Sequence, residues 1–483
     1  MLPAVMAIMM IVSILSACAS GGSETSDTTA AATTAETAPQ ETTRKPHKVP
    51  VDSLDFEGGE YRIMIFEWQG YTYYFFADEL NGDVMNDALY DRQRIIEETL
   101  NVKMKKHIFD NKTTSAVPNA VKTTVLAGED AYDCALFHCI GGIADTASNG
   151  YLYNLDMLPY IDITAEWWNQ KQMNVLRLGK NTYYAVNDYM IPCPYMIYFN
   201  RGIAENYGLD DPYEKTFEGS WLLDDFTGMC RAVSKDLDGS GTYTMDDQYG
   251  VTANEVSKYI SFVTGSNQFM TSRDSEGRVE LAMNTEKMVN LVEVFAALMN
   301  ENCVWQKSGE VLTLECDRVL FELSSIAAAE RMREYDIDLG FLPYPKYDEK
   351  QEEYISLDWG GLMGVPVSIS RPELVGAVME LMAYEAKNDV IPTYYGTVLS
   401  GKLARDENAG RVLDILFDTI VYEIGGNYFG FSPGFTDLFY TLGRLSIQGK
   451  STDFASWYAK NEPTAKTTIA NFYKNLDSVE LQS

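Results

Sequence analysis

Short apolar runs alternate with longer amphipathic stretches along most of the chain after residue 50. Residues 61–66 form a compact apolar run that predicts a β-strand. Residues 84–100 predict a helix with Asp83 as its N-cap, and a second strand begins at 101–105. The apolar positions on one face of this helix are Met85, Leu89, Ile96 and Leu100. Strand, helix and strand in this order indicate a parallel sheet in an α/β fold.

The rest of the chain continues the same alternation. Residues 132–137 are almost all apolar, which is typical of a strand buried on both faces. Shorter strands are predicted at 183–186 and 195–199, and amphipathic helices at 284–300 and 374–386. Ser370, Arg371, Pro372 and Glu373 resemble a capping box with an early proline before the last of these helices. Trp167 and Trp221 are assigned to packing.

Length and charge narrow the class of protein. A chain of 483 residues exceeds one ordinary core and indicates two lobes. The formal net charge of −32 repels phosphate backbones, so nucleic acid is excluded as a partner. Seven cysteines include no CxxC pair, so a zinc knuckle has no support. Apart from Cys18, they either pair in an oxidising compartment or remain buried free thiols.

The first 50 residues predict that the protein is exported and located outside the cell membrane. Residues 2–17 are uncharged and largely apolar, too short for a span but suited to a signal peptide, although no basic residue precedes them. The run ends in Leu15, Ser16, Ala17 and Cys18, which resembles the bacterial lipobox, so Cys18 is the predicted lipidation site. We expect a signal peptide at 1–17 and a disordered tether at 18–50, rich in Ser, Thr, Ala and Glu.

Several stretches, in this order along the chain, resemble the extracellular solute-binding proteins of ABC importers, of the family 1 group. They are residues 81–88, Arg92, 97–102, 153–161, 167–169, 198–201, 207–209, Trp221, 339–345 and 360–366. The resemblance implies a two-lobed periplasmic-binding-protein-like (type II) α/β fold with hinge strands and discontinuous lobes. We expect lobe 1 at 51–192 and 357–405, and lobe 2 at 193–356 and 406–483.

The same resemblance implies a function without catalysis. The protein would be a monomer that captures a small ligand, an oligosaccharide, by lobe closure on the outer face of the cell membrane. It would then deliver the ligand to an ABC transporter permease. The fold analogy alone carries the ligand assignment.

Five residues are predicted to contact the ligand. Three of them follow strands, whose ends line the cleft in folds of this kind, one lies before the segment at 360–366, and one lies in the loop after the helix at 374–386. Their side chains offer rings for the apolar faces of a sugar or polar groups for its hydroxyls. They are Trp68, Tyr71, His138, Trp359 and Tyr395. The alternative for each is a place in the core or on a lobe surface.

Residues 236–247 predict a calcium loop of twelve positions. Calcium prefers six to eight oxygen ligands, and the spacing of this loop supplies them around a glycine at position 6. The predicted ligands are Asp236, Asp238, Ser240, Thr242 and Asp247, with Gly241 at the turn and Thr244 at a water-bridged position. Asp in place of Glu at position 12 shortens the reach of the last ligand. Ca²⁺ would have a structural role here, and the alternative is an acidic surface turn.

Enzyme functions are alternatives that the sequence leaves open. Gly430, Ser432 and Gly434 match a nucleophile elbow, but no histidine follows them and Pro433 removes a backbone donor. Paired carboxylates are abundant, so a secreted glycosidase or lyase is the runner-up. A surface adhesin or receptor of the same fold is a third possibility.

Overall fold

The computed structural model describes residues 44–66, 75–109, 113–187, 192–252, 256–306, 312–399, 407–450 and 453–480. The chain divides into two units, residues 1–45 and residues 46–483. All strands and helices given below belong to the second unit. The predicted lipidation site Cys18 and the predicted ligand residues Trp68 and Tyr71 lie outside the described residues.

The strands are short, and most of their residues are buried. They are β1 (Gly59–Phe66), β2 (Val102–Phe109), β3 (Cys134–His138), β4 (Tyr195–Asn200), β5 (Tyr249–Thr252), β6 (Thr271–Arg273), β7 (Val279–Leu281), β8 (Val304–Trp305), β9 (Val319–Ser325), β10 (Leu339–Leu342), β11 (Ser356–Leu357), β12 (Gly361–Gly364) and β13 (Ile420–Val421).

Helices cover the two larger sheets and form most of the C-terminal part. They are α1 (Val84–Leu100), α2 (Ala116–Ala127), α3 (Ile143–Ser148), α4 (Gln170–Leu176), α5 (Arg201–Asn206), α6 (Pro212–Phe217), α7 (Leu223–Val233), α8 (Val256–Gly265), α9 (Glu286–Leu298), α10 (Ala329–Arg333), α11 (Pro372–Glu385), α12 (Ile391–Thr393), α13 (Glu407–Asp418), α14 (Ile424–Phe429), α15 (Leu442–Ile447) and α16 (Phe454–Glu480). π-helical turns at Ala386–Val390, Tyr394–Leu399 and Asp437–Thr441 interrupt the later helices.

The first sheet has the strand order β12-β3-β1-β2. Strands β1, β2 and β3 are parallel, and Gly59 pairs with Val102 in the register of β1 and β2. Helix α1 connects these two strands, and the Asp83 side chain accepts hydrogen bonds from the backbone N–H groups of Met85 and Asn86. Strand β12 runs antiparallel to β3 and comes from a part of the chain more than 200 residues later.

The second sheet has the order β10-β4-β9-β5-β8. Strand β4 runs antiparallel to both β9 and β10, whereas β5 is parallel to β8 and β9. The indole of Trp221 lies fully buried beside this sheet and donates to the carbonyl oxygen of Pro343 at 3.1 Å. Both Trp167 and Trp221 are buried, which confirms that they serve packing.

The chain passes between the two sheets more than once. It leaves β3 of the first sheet for β4 of the second, and it returns from β10 to β12 through β11. Strand β11 pairs in parallel with β13, and Pro194 forms a bridge with Asp358. We call residues 192–195, 356–360 and 420–422 the crossing segments. The mixed α/β architecture agrees with the predicted fold class, and the predicted lobe boundaries stay predictions.

Two local predictions are wrong. Residues 183–186 do not form a strand, because only Ala185 makes a bridge, to Met363. Ser370 does not cap the helix at 374–386: helix α11 begins at Pro372 after Arg371, whose side chain makes no cap hydrogen bond. The Ser370 hydroxyl instead donates to Asp130. A tertiary contact has therefore replaced the local capping contact, while Pro372 occupies the first turn as expected.

The six cysteines within the described residues are free thiols. No disulfide joins the described ones, of which Cys134, Cys139, Cys193, Cys230 and Cys303 are buried. Burial raises the pKa of the Cys134 thiol to about 12, so that thiol stays protonated at neutral pH.

Candidate functional site

Strand β3 carries His138 to the carboxyl end of the first sheet. The imidazole is 5% exposed, and its Nδ1 accepts a hydrogen bond from the backbone N–H of Ile140 at 3.3 Å. Burial lowers the pKa of His138 to about 4, so the ring is neutral at pH 7. A neutral imidazole can exchange hydrogen bonds with sugar hydroxyls, as the sequence predicts for this residue.

The strand register brings the second predicted residue to the same place. His138 pairs with Gly361 across β3 and β12, and Trp359 precedes that glycine by two residues. The indole of Trp359 is half-buried and lies at the end of a crossing segment. The structure therefore brings His138 and Trp359 together at the point where the chain passes between the sheets.

Trp359 belongs to a row of rings supplied by separate elements. Its ring centroid lies 6.0 Å from that of Tyr195 and 6.5 Å from that of Tyr440. Tyr440 in turn stacks on Phe431, at 4.9 Å and an interplanar angle of 7°. We call Tyr195, Trp359, Tyr440 and Phe431 the aromatic row. Phe431 at its end is 51% exposed and the other three residues are half-buried, so the row ends at solvent.

Two polar atoms beside the aromatic row lack partners. The buried Tyr440 hydroxyl has no hydrogen-bond partner among the described residues, and neither has the side-chain oxygen of Asn427. The amide nitrogen of Asn427 donates to the carbonyl oxygen of Cys139 at 3.2 Å, which holds this side chain against the loop after β3. Buried polar groups are usually hydrogen-bonded, so two without partners at one place are unusual. Each of them can bond to a ligand without first breaking an existing hydrogen bond.

The space between these groups is small. Ile140, Trp359, Asn427 and Tyr440 border a cavity of about 10 Å³. That volume holds about one water molecule. A sugar ring can enter only if the crossing segments or the aromatic side chains move.

Two buried carboxylates near the aromatic row are already engaged. Asp358 accepts from the backbone N–H groups of Cys193 and Gly360, at 2.9 and 2.8 Å, and from the Gln172 amide at 2.7 Å. Glu423 accepts from the backbone N–H groups of Met270 and Gly426. Burial raises the pKa of both carboxyls. The contacts of Asp358 connect two crossing segments, and those of Glu423 hold α14 to the backbone at Met270, so both carboxylates have structural roles.

The remaining predicted ligand residue lies in a different environment. The ring of Tyr395 packs against Phe417 of α13 at 4.9 Å and against Tyr394 at 6.5 Å. Neither neighbour belongs to the aromatic row.

Sequence reasoning missed part of this site. Tyr440, Phe431 and Asn427 belong to the C-terminal helical region, and Tyr195 begins β4. No local pattern distinguishes these rings and this amide from core residues of a helical region, because tertiary packing alone brings them to the aromatic row. Gly430 and Gly434, on either side of Phe431 and Ser432, mark a turn but give no sign of ligand contact.

The Gly430–Gly434 segment is not a nucleophile elbow. An elbow needs a strand before the serine. Here α14 precedes Ser432, and the backbone N–H of that serine donates to Phe429.

The acidic loop at 236–247 brings its carboxylates together. One oxygen atom from each of Asp236, Asp238 and Asp247 lies within 4.8 Å of the others. Asp247 is fully buried, and Asp236 accepts from the backbone N–H of Gly241 at 2.7 Å. Backbone hydrogen bonds from Ser240 and Thr244, respectively, lower the pKa values of Asp238 and Asp247, so both stay ionised. Three carboxylate side chains around one point fit a hard divalent cation.

No family model matches the chain, and no curated protein matches it in sequence. Solved structures do match it. A cyclic α-maltosyl-1,6-maltose binding protein from Arthrobacter globiformis gives a TM-score of 0.61 at 11% identity and covers 86% of this chain and 100% of its own. An ABC substrate-binding protein from Listeria monocytogenes in complex with cycloalternan gives 0.57 at 12%, covering 85% and 99%. The GacH receptor of Streptomyces glaucescens, solved with acarbose, gives 0.55 at 12%, covering 84% and 98%.

These likenesses span nearly all of each solved chain and confirm the predicted fold class. The chain has the α/β fold of the periplasmic-binding-protein type found in ABC solute-binding proteins. At 11–12% identity they establish the fold and no more. Within the described residues, no helix combines the length and apolar character needed to cross a bilayer.

Proposed function

We propose that this protein captures an oligosaccharide outside the cell and delivers it to an ABC transporter permease. The cleft is formed where the crossing segments meet the aromatic row. Solved proteins of the same fold bind cyclic and linear oligosaccharides, which favours this class of ligand.

The observation that carries the proposal is the pairing of stacked rings with unpartnered polar atoms. Sugars present apolar C–H faces that pack on rings such as Trp359 and Tyr440. Their hydroxyls need donors and acceptors, which the Tyr440 hydroxyl and the Asn427 oxygen supply. An apolar ligand would leave both atoms unsatisfied.

Capture requires a change of conformation. The cavity of about 10 Å³ is too small for a sugar ring, so the ligand binds a more open form and stabilises a closed one. The crossing segments are where the chain passes between the sheets, and Asp358 connects two of them through backbone hydrogen bonds. Rotation about these segments opens the cleft without disturbing either sheet.

Within the part of the chain that the structure describes, nothing favours the alternative of a glycosidase or lyase. Such enzymes need one carboxylate as an acid and a second as a nucleophile or base, both facing the scissile bond. Near the aromatic row, Asp358 and Glu423 are buried and accept backbone hydrogen bonds. Both would have to lose these bonds before either could act.

The last part of the proposal is that a lipid attaches the protein to the extracellular face of the cell membrane. Lipidation at Cys18, after removal of residues 1–17, would anchor the protein, and residues 18–50 would be its tether. We further propose that the loop at 236–247 binds Ca²⁺ and holds the segment between α7 and β5.

A thermal-shift screen tests the function. The soluble chain from Val51 onward is mixed with linear and cyclic glucans, mannans, amino acids and peptides, and product formation is followed by chromatography. A ligand that binds only the folded state raises the unfolding midpoint. A rise with one glycan class and no product supports the proposal, whereas a rise with amino acids or peptides alone contradicts it.

A further inference from the structure

Positive charge is concentrated at one cavity of an otherwise acidic protein. The chain has 38 Lys and Arg against 70 Asp and Glu. The cavity has a volume of about 840 Å³ and is lined by three segments, 174–181, 273–278 and 473–477. Four cations face it, namely Arg177, Lys180, Arg273 and Arg278, against the two carboxylates Glu276 and Asp477.

Both carboxylates are paired with a single arginine. Arg278 contacts Asp477 at 2.9 Å and Glu276 at 4.0 Å. Its guanidinium also lies over the Tyr473 ring, 4.7 Å from the centroid. Both lining carboxylates are therefore engaged by Arg278, and Arg177 is paired with Asp156, whereas Lys180 and Arg273 have no carboxylate partner among the described residues.

Arg273 has hydrogen-bond partners but no counter-charge. Its guanidinium donates to the carbonyl oxygens of Gly277, Val175 and Arg177, at 2.6 to 2.7 Å. Within the described part of the chain, no carboxylate lies within 4 Å of Arg273 or of Lys180. Carbonyl oxygens satisfy the donors without neutralising the charge, so the positive potential persists in the cavity.

Arg177, beside Arg273 in the lining, adds an unused donor. One guanidinium nitrogen is 2.9 Å from Asp156, but its buried Nε has no acceptor among the described residues. Donors that lack an acceptor favour a ligand oxygen, and a charged oxygen most of all.

We propose that this cavity is an accessory binding site for a small molecule that bears oxyanion groups. Carboxylated or sulfated sugars and free inorganic anions share this chemistry. The volume accommodates more than one oxyanion, and the amide side chains of Asn174 and Asn181 can contact uncharged parts of a ligand. The site is separate from the aromatic row and does not depend on the proposed function.

Isothermal titration of the full soluble chain tests the site with three probes. They are trigalacturonate, sodium sulfate and the uncharged maltotriose. We expect saturable binding of one or both anions, weakened at least tenfold by Lys180→Glu and by raised salt. Binding of trigalacturonate alone identifies an acidic sugar as the ligand, and binding of sulfate alone identifies a free anion.

Lys103→Glu is the matched control, because Lys103 is exposed on β2 and does not line the cavity. It changes the net charge equally, so anion affinity should stay within twofold. Equal loss in both variants would mean a general charge effect and would overturn the proposal. The absence of saturable anion binding would overturn it as well. Maltotriose affinity, if present, reports on the aromatic row and should be equal in both variants.

Discussion

At the scale of single residues, Tyr440 combines three roles. Its ring contacts Trp359 and stacks on Phe431, and its hydroxyl is buried without a partner among the described residues. An unsatisfied buried hydroxyl lowers stability unless another molecule bonds to it. The unsatisfied hydroxyl therefore raises the free energy of the ligand-free protein, and a hydrogen bond to a ligand removes that penalty.

Tyr440→Phe should separate binding from stability. The variant keeps the ring and removes only the hydroxyl, so we expect three- to tenfold weaker glycan binding, about 1 kcal/mol, with unchanged or slightly raised stability. Titration calorimetry and thermal unfolding measure the two effects. Tyr207→Phe, at an exposed position, is the control and should change neither. Unaltered affinity in Tyr440→Phe would exclude the hydroxyl from ligand contact.

Glu380 is a second residue whose chemistry can be isolated. One oxygen accepts from the Trp168 indole at 3.1 Å, while the other has no partner within the described residues. Burial raises the pKa of Glu380 above its ordinary 4.5, so ionisation is easier in the unfolded chain. The folded protein consequently loses stability as the pH rises from about 4.5 through that raised pKa.

Glu380→Gln keeps an acceptor for Trp168 and removes the charge. We expect its unfolding midpoint to exceed that of the wild type near pH 7, and the difference to shrink as the pH falls toward 4.5. Calorimetric scans at several pH values measure this trend. A difference that is constant with pH would show that ionisation of Glu380 is not the cause.

At the scale of elements, helix α11 illustrates how packing overrides propensity. Glycine inside a helix usually costs about 1 kcal/mol relative to alanine. At Gly376, however, an added Cβ would overlap the carbonyl oxygen of Pro159. Glycine at this position allows helix α11 to pack closely against the backbone at Pro159.

Gly376→Ala should therefore destabilise the protein by about 1–3 kcal/mol, against the helix propensity scale. Gly228→Ala in α7 is the control, because nothing lies within 4 Å of its added Cβ, and it should be neutral or stabilising. Urea unfolding of both variants measures the difference. Equal effects would contradict the close approach.

The acidic loop between α7 and β5 gives a second prediction for an element. If it binds Ca²⁺, calcium should raise the unfolding midpoint of the wild type and a chelator should reverse the rise. Asp247→Asn should abolish this response, since Asp247 is buried among the loop carboxylates. Asp246→Asn, at a side chain that is 92% exposed, should retain it. A calcium response that survives Asp247→Asn would place the ion elsewhere.

At the scale of the whole molecule, the pattern of the chain predicts most of the fold but only part of the site. The apolar run of β3 and the periodicity of α1 are local signals, so both elements were predicted correctly. His138 was predicted from its place at the end of a strand and Trp359 from its place before the segment at 360–366, and the register of β3 and β12 brings them to the same end of the sheet. Tyr440 lies on a C-terminal helical turn, where only tertiary packing decides which face meets the cleft.

Membrane attachment is tested on whole cells. Cys18→Ser removes the predicted lipidation site, so the protein should move from the membrane fraction to the medium. Fractionation and immunoblotting measure the shift. Ser16→Thr, two positions earlier, serves as a mild control that keeps the cysteine. Retention of the Cys18→Ser protein in the membrane would exclude lipidation as the anchor.

The late arrival of β12 in the first sheet has a consequence for biogenesis. Strand β3 is complete at residue 138, but its neighbour β12 begins at residue 361. Until that neighbour emerges, β3 presents an uncovered apolar edge of the kind that recruits other chains into aggregates. Synthesis or translocation that stops before residue 361 should therefore yield insoluble fragments, and pairing across such a sequence distance should make refolding slow.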